Sequence, residues 1–347
     1  MYSGVSSGST RAMPQISVVT ATYNRGDVLP RAIQSVRDQT FDDYEHLIVD
    51  DGSTDDTAAV VDEHGDSRTR YIELSRNRGV AAAWNRGIEV ATGEYVSFLD
   101  SDDEYVPERL ARTKAVLDDS PDTVAGIAHS YERVVDDDVS INRVPDGEFT
   151  LGDLASDNFI CGSTNTMYRS SAIDRVGRFD ETFPAEIDYD FQMRVLEQFT
   201  LVGIADVLSR KYDQPDSLQN DPETKRRGVK RFLEEHRDVL SNRRVAAKYR
   251  SIARTHLETG DRQNAARYFE KSVDVCPKHV RGDLQYEIGR DYLLAGHKRA
   301  ARRHLWRSVR SNPIRYRPYA LCLLSLVPGD AEHSVETARG VRNTLRG

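Results

Sequence analysis

No apolar run in this chain approaches the ~20 residues that a helix needs to cross a bilayer; the longest covers residues 319–327 (YALCLLSLV). The first dozen residues, MYSGVSSGSTRA, are small and polar and lack the apolar stretch of a secretory signal. They read as a disordered tail over residues 1–13 of a cytoplasmic protein. Cysteine is scarce: Cys161, Cys276 and Cys322 are isolated, with no CxxC pair and no histidine at metal-ligand spacing. This excludes a disulfide framework and a zinc ribbon, and leaves buried thiols in a reducing compartment as the reading. No RNA- or DNA-reading motif occurs, so nucleic acid is not an expected partner.

Charge is abundant and unevenly placed. The 347 residues carry a net charge of −8. Residues 1–224 hold 20 Lys/Arg against 43 Asp/Glu (−23), and residues 225–347 hold 28 against 13 (+15). A basic segment of this kind points to an anionic partner, although a solvated helical surface accounts for it as well. The length exceeds what one core serves comfortably and implies two domains.

The local patterning agrees with that division. Residues 16–21 (ISVVTA), 45–49 (EHLIV), 71–74 and 94–99 (EYVSFL) read as strands, and residues 28–40, 55–64 and 80–91 as helices between them, with Ser53 or Thr54 as the cap of the second. Such alternation implies an α/β fold with a mostly parallel, Rossmann-like sheet and right-handed crossovers. Ligands then bind beyond the carboxyl ends of the strands. After residue 222 the strand signals stop and a helical region begins, giving expected domains over residues 14–222 and 223–347. Within the second, Gly260, Ala265, Phe269 and Pro277 recur 36 positions later as Gly296, Ala301, Leu305 and Pro313. A period near ~34 residues with helix–turn–helix content resembles tetratricopeptide repeats.

Two acidic clusters fall at strand ends. Asp100-Ser101-Asp102-Asp103 concentrates carboxylates where Mg²⁺ or Mn²⁺ finds hard oxygen ligands, needing one or two carboxylates plus substrate phosphates. A solvated acidic turn is the competing explanation. VDDGSTDD, the second cluster, supplies Asp51 as an acceptor for a base N–H or ribose hydroxyl, while Asp55 and Asp56 suit a helix N-terminus.

The stretches SVVTATYNR, LIVDDGSTDDT, NRGVAAAWNRGIEVATGEYVSFLDSDD and VGRFDETF…EIDYDFQMR together resemble the family 2 glycosyltransferases of the GT-A fold, over about residues 14–220. The resemblance implies an inverting displacement on a UDP-, GDP- or dTDP-sugar. It implies that Thr22 and Asp51 contact the nucleoside, that Asn77 and Gly79 shape the loop beside the donor, and that Asp100 and Asp102 form the DxD pair. Asp102 is then the direct ligand of Mg²⁺ or Mn²⁺. Inversion needs a base opposite the departing diphosphate. The family's Glu-Asp pair is interrupted here by Ile187, so that Asp188 takes the catalytic position with Glu186 as the alternative. In a second departure Gln214 stands where many members have His. The segment Cys161 to Thr164 matches the family's acceptor-side loop.

The implied acceptor is a glycan or a lipid-linked sugar, in surface-glycan or lipid-linked oligosaccharide assembly. The basic C-terminal region, with Arg310, Arg315, Arg317 and the segment PYALCLLSLVP, could then lie against an anionic inner-membrane surface. Three other classes fit less of the sequence. A catalytically dead transferase fold serving as a scaffold draws on Ile187 and Gln214. A sugar nucleotidylyltransferase would need a Gly-rich basic loop that TATYNRGD does not supply. A processive synthase would need spanning helices and a QxxRW string.

Overall fold

The computed structural model describes residues 13–135, 138–214, 221–311, 319, 321 and 322. The tail expected over residues 1–13 therefore lies outside them save for Met13, as do Pro313, Arg315, Arg317 and most of the late apolar segment. In chain order the elements are β1 (Ile16–Thr22), α1 (Leu29–Arg37), β2 (Tyr44–Asp50), α2 (Thr57–His64), β3 (Thr69–Glu73), α3 (Val80–Val90), β4 (Tyr95–Asp100), β5 (Glu104–Tyr105), α4 (Arg109–Asp118) and β6 (Val124–Val135). They continue with β7 (Asp138–Asn142), β8 (Gly147–Phe149), α5 (Leu151–Ser156), β9 (Thr166–Arg169), α6 (Ser170–Val176), α7 (Ile187–Leu196) and β10 (Thr200–Tyr212). Five helices follow: α8 (Pro222–His236), α9 (Asn242–Glu258), α10 (Arg262–Val275), α11 (Arg281–Leu294) and α12 (Lys298–Ser311).

The strands form one mixed sheet in the order β3-β2-β1-β4-β9-β6-β10-β5, with β7 and β8 at its margins. The first four run parallel, as the alternating pattern requires, and β9 inserts antiparallel beside β4. Their register places Thr22 opposite Asp50 and Ala21 opposite Asp100, so the ends of β2, β1 and β4 form one rim. Every residue of β1 is buried, which explains its mostly apolar and β-branched composition. Helix α1 buries Leu29, Ala32, Ile33 and Val36, a face spaced three and four residues apart, against the core with Val18, Ile48 and Leu99.

An aromatic group fixes the far side of the sheet. Phe179 lies 4.9 Å from Trp84, 5.2 Å from Phe98 and 4.4 Å from Phe191, centroid to centroid. Asn85 clamps the same segment: its Nδ2 donates to Phe179 O at 2.9 Å and its Oδ1 accepts from Phe179 N at 3.0 Å. The segment leading into α7 is thereby anchored to α3 and β4.

The chain divides into two compact units: residues 1–154, 158–182 and 187–215, and residues 155–157, 183–186 and 216–347. In the second, α9 pairs with α10 and α11 with α12. The 36-residue repeat is reproduced bond for bond. Gly260 and Gly296 both take the left-handed conformation, φ 78° and 76°, where an L side chain would be strained. Asp261 N donates to His256 O and His297 N to Tyr292 O, each at 2.8 Å. Ala265, Phe269, Ala301 and Leu305 are all core residues.

Two local expectations change. Ser53 does not cap α2; its Oγ donates to Asp50 Oδ1 at 2.6 Å, and Asp55 Oδ1 instead accepts from Thr57 N and Oγ1. Cys161 is exposed rather than buried, because it sits in a turn at φ 51°.

His46 in β2 is a buried titratable group, bonded through Nε2 to Thr20 Oγ1 at 2.9 Å. Burial, against a weak opposing pull from Asp66, lowers its pKa to about 3. The folded protein thus binds this proton less readily than the unfolded chain, whose histidine titrates near ~6.5. The contribution is intact above pH ~6.5 and is lost as pH falls towards about 3, at most about 5 kcal/mol. His46→Gln should flatten the acid limb of urea midpoints measured from pH 7 to 4. Parallel limbs in the two proteins would refute this assignment.

Candidate functional site

The acidic turn after β4 is tied down from three directions. Asp100 N donates to Thr164 Oγ1 at 3.1 Å, and that hydroxyl donates onward to Asp103 Oδ2 at 2.7 Å. Ser163 Oγ donates to Asp100 Oδ1 at 3.1 Å. From β10, Tyr212 N donates to Asp103 Oδ1 at 3.1 Å. Helix α7 joins through Gln192, whose Nε2 donates to Gly162 O at 3.2 Å. The loop of residues 161–165 is thus the hub that brings β4, β10 and α7 together.

Beneath the hub lies Arg109, fully buried. Its guanidinium donates to His129 Nε2, Ser97 Oγ, Thr164 O and Thr166 O at 2.6–3.0 Å and covers the Tyr105 ring at 3.7 Å. A buried cation needs such full hydrogen bonding. The backbone of residues 164–166 is fixed from below by this side chain.

The electrostatics of the turn are those of crowded carboxylates. Burial first, and then the charge of Asp100, raises the pKa of Asp102. Burial also raises that of Asp103, against the lowering pull of Lys211. The Lys211 ammonium stands 3.8 Å from both Asp100 Oδ2 and Asp103 Oδ2. Burial disfavours its charge, but Asp103 and Asp100 outweigh that and raise its pKa, with Asp188 adding to the pull. Asp188, in the first turn of α7, therefore belongs to the same electrostatic neighbourhood as the DSDD turn.

Among the described residues no three His, Cys, Asp or Glu side chains are grouped to hold an ion by themselves. The donor set nevertheless fits a hard divalent cation that completes its shell with phosphate oxygens: two carboxylates, Asp100 and Asp102, whose mutual repulsion a cation would relieve.

Asp51 has a different setting. It is buried, and its Oδ1 and Oδ2 accept from Arg78 N at 2.8 Å and Gly79 N at 2.6 Å. Its visible work is to hold the loop of Asn77 and Gly79, where Asn77 Oδ1 also accepts from Gly79 N at 3.1 Å. Thr22, one strand over, is buried with an Oγ1 that has no hydrogen-bond partner. Glu186, in the second unit, has φ 65° and pairs through Oε2 with Lys248 Nζ at 2.5 Å.

Lys211, Arg109 and Gln192 join the site without being marked as site residues by any motif in the sequence. Lys211 carried a faint signal, as one of two lysines in the first 224 residues.

With the geometry in place, the comparisons with known proteins become informative. The sequence model of Glycosyl transferase family 2 matches residues 17–177. A PGL/p-HBAD biosynthesis glycosyltransferase of Mycobacterium tuberculosis is 30% identical over 216 residues, 60% of this chain and 80% of that protein. This chain belongs to glycosyltransferase family 2. An uncharacterized glycosyltransferase of Nostoc is 38% identical over 145 residues, 41% of this chain; the chain spans 44% of that relative's length. Among solved structures, Staphylococcus aureus TarS 1–349 in complex with UDP-GlcNAc aligns with a TM-score of 0.56 at 18% identity, over 87% of this chain and 93% of that one. The mannosyltransferase PcManGT of Pyrobaculum calidifontis, in complex with GDP-Man and Mn²⁺, aligns at 0.52 with 17% identity, over 87% and 88%. At these identities the structural likenesses establish the fold, a GT-A sheet followed by helices.

Asp51→Ala tests the loop-anchoring role. Two hydrogen bonds to a charged acceptor disappear, each contributing about 1.5–3 kcal/mol. Amide exchange at Arg78 and Gly79 should accelerate at least ~10-fold while β4 amides keep their protection. Unchanged exchange at both positions would remove the anchor.

Proposed function

We propose that this protein is an inverting glycosyltransferase that takes a sugar from a UDP-, GDP- or dTDP-linked donor to a hydroxyl of a glycan or lipid-linked acceptor, at the cytoplasmic side of surface-glycan assembly. The observation that carries this reading is the hub itself: the DSDD turn, the loop of residues 161–165, Lys211 and helix α7 meet at the carboxyl ends of the strands. Family membership and neighbours that bind UDP-GlcNAc or GDP-Man with Mn²⁺ support the substrate class.

In this reading Asp102 and Asp100 hold Mg²⁺ or Mn²⁺. The ion, when bound, neutralises the diphosphate and makes it a better leaving group. Thr22 Oγ1, buried without a partner, meets the nucleoside, with Asp51 behind it setting the loop of Asn77 and Gly79. Asp188 takes the proton of the acceptor hydroxyl as its oxygen bonds to the anomeric carbon and the bond to the diphosphate oxygen breaks. The Glu186 carboxylate, paired with Lys248, is less available for that proton.

The basic C-terminal unit adds a membrane contact to the proposal. On α12, Arg299, Arg303, Trp306, Arg307 and Arg310 are exposed, and their three- and four-residue spacing puts them on one face. The helix contains no acidic residue, and those arginines have no ion pair among the described residues. An arginine face centred on a half-exposed tryptophan matches an anionic lipid surface. No helix among the described residues is long and apolar enough to cross a membrane.

Nucleotide-sugars assayed with Mn²⁺ or Mg²⁺ for transfer or hydrolysis test the central claim. Asp102→Ala should abolish metal-dependent nucleotide binding. Asp188→Ala should bind the donor near normally and transfer roughly 10²–10⁴-fold more slowly; near-normal transfer would remove it as the base. For the membrane contact, the protein should sediment with phosphatidylserine vesicles and not with neutral ones. Changing the four exposed arginines of α12, Arg299, Arg303, Arg307 and Arg310, to Gln should weaken binding by about 1 kcal/mol per residue. Binding that ignores salt and lipid charge, or that selects an oligonucleotide over vesicles, would overturn it.

A further inference from the structure

Strand β10 ends by delivering a lysine into an acidic corner, and the way it is held is unusual. Its Nζ lies 3.8 Å from Asp100 Oδ2 and 3.8 Å from Asp103 Oδ2. These are ion-pair separations, longer than the ~2.7–3.2 Å of an N–H···O hydrogen bond. The Asp103 oxygens are already taken by Thr164 Oγ1 and Tyr212 N. The side chain is 17% exposed, and Nζ stands 5.5 Å from the centroid of the Tyr131 ring. Room for the ammonium comes from Gly162, where a Cβ would lie 2.2 Å from Nζ. The charge is therefore held by field and shape, while its N–H donors make no hydrogen bond among the described residues.

We propose that Lys211 is a resident cation of the donor site: it competes with a divalent ion for Asp100, and it donates to the donor's diphosphate when that ion is held by Asp100 and Asp102. The proposal rests on the transferase reading above and adds a residue and a linkage to it. A fixed ammonium beside Asp100 repels a lone metal ion and attracts a diphosphate. Metal and nucleotide then bind better together than either does alone, because the diphosphate's negative charge offsets the repulsion between the two cations. An ion pair that merely supports the fold would affect both ligands in the same direction.

The opposite signs make the test. Free Mn²⁺ is followed by its paramagnetic resonance signal without nucleotide. UDP, GDP and dTDP are titrated calorimetrically at saturating Mn²⁺, with the matching monophosphate as control. Lys211→Met should bind Mn²⁺ alone roughly 10-fold more tightly, the order expected when one unit charge is removed near a divalent ion. The same variant should bind the preferred diphosphate roughly 10–100-fold more weakly, the loss of one charge-assisted hydrogen bond, with the monophosphate little changed. Lys211→Arg keeps the charge and should stay close to wild type on both, which also separates charge loss from misfolding. Parallel loss of both affinities, or an unchanged diphosphate affinity, overturns the inference and leaves the donor reading intact. Wild-type protein that takes Mn²⁺ but none of the three diphosphates sinks the donor reading, and this inference with it.

Discussion

The rest of the site depends on keeping several carboxylates together at the end of one buried strand. Asp100, Asp102 and Asp103 follow an apolar β4 that cannot move without breaking the sheet. Repulsion between them would open the turn if nothing opposed it. The opposition is local and specific: Thr164 bridges Asp100 N and Asp103, Ser163 holds Asp100, Tyr212 N holds Asp103, and Lys211 supplies the counter-charge. Each comes from a part of the chain more than sixty residues away. The turn is therefore a product of tertiary structure, although its residues are consecutive.

Pinning also runs outward from the turn. Arg109 fixes the carbonyls of residues 164 and 166, and Gln192 fixes that of Gly162. The aromatic group around Phe179 and the Asn85 clamp fix the segment before α7. These contacts position α7, the helix that carries Asp188, against the loop of residues 161–165. In the proposed reaction this placement matters, since a base must sit within hydrogen-bond reach of the acceptor proton.

The strand-and-helix pattern was legible because burial imposes it: β1 and β4 are covered on both faces, and α1 shows its apolar stripe directly. The location of the acidic clusters followed from the general rule for open α/β sheets. The repeat was legible for a similar reason, since left-handed glycines and small core residues at fixed spacing have few substitutes. Contacts between distant segments were not legible. Nothing adjacent to Lys211 marks it as a partner of Asp100, because β10 reaches the turn only through sheet order. Local competition also misled: Ser53 is a good helix cap by type, but its Oγ accepts from Asn24 N and donates to Asp50 instead.

Asp51 is engaged by the backbone of the loop it faces. A carboxylate offers about four lone-pair positions, and here one bond on each oxygen is used by the backbone of Arg78 and Gly79. Burial raises its pKa against the lowering pull of those two bonds. The loop edge beyond is then rigid, and Thr22 Oγ1, buried and without a partner on the adjacent strand, is the group left to make a new bond. In the proposed reading, a rim whose aspartate holds its own loop meets the nucleoside through the Thr22 hydroxyl and the loop backbone, while the charge for the diphosphate is gathered one strand away, at the end of β4.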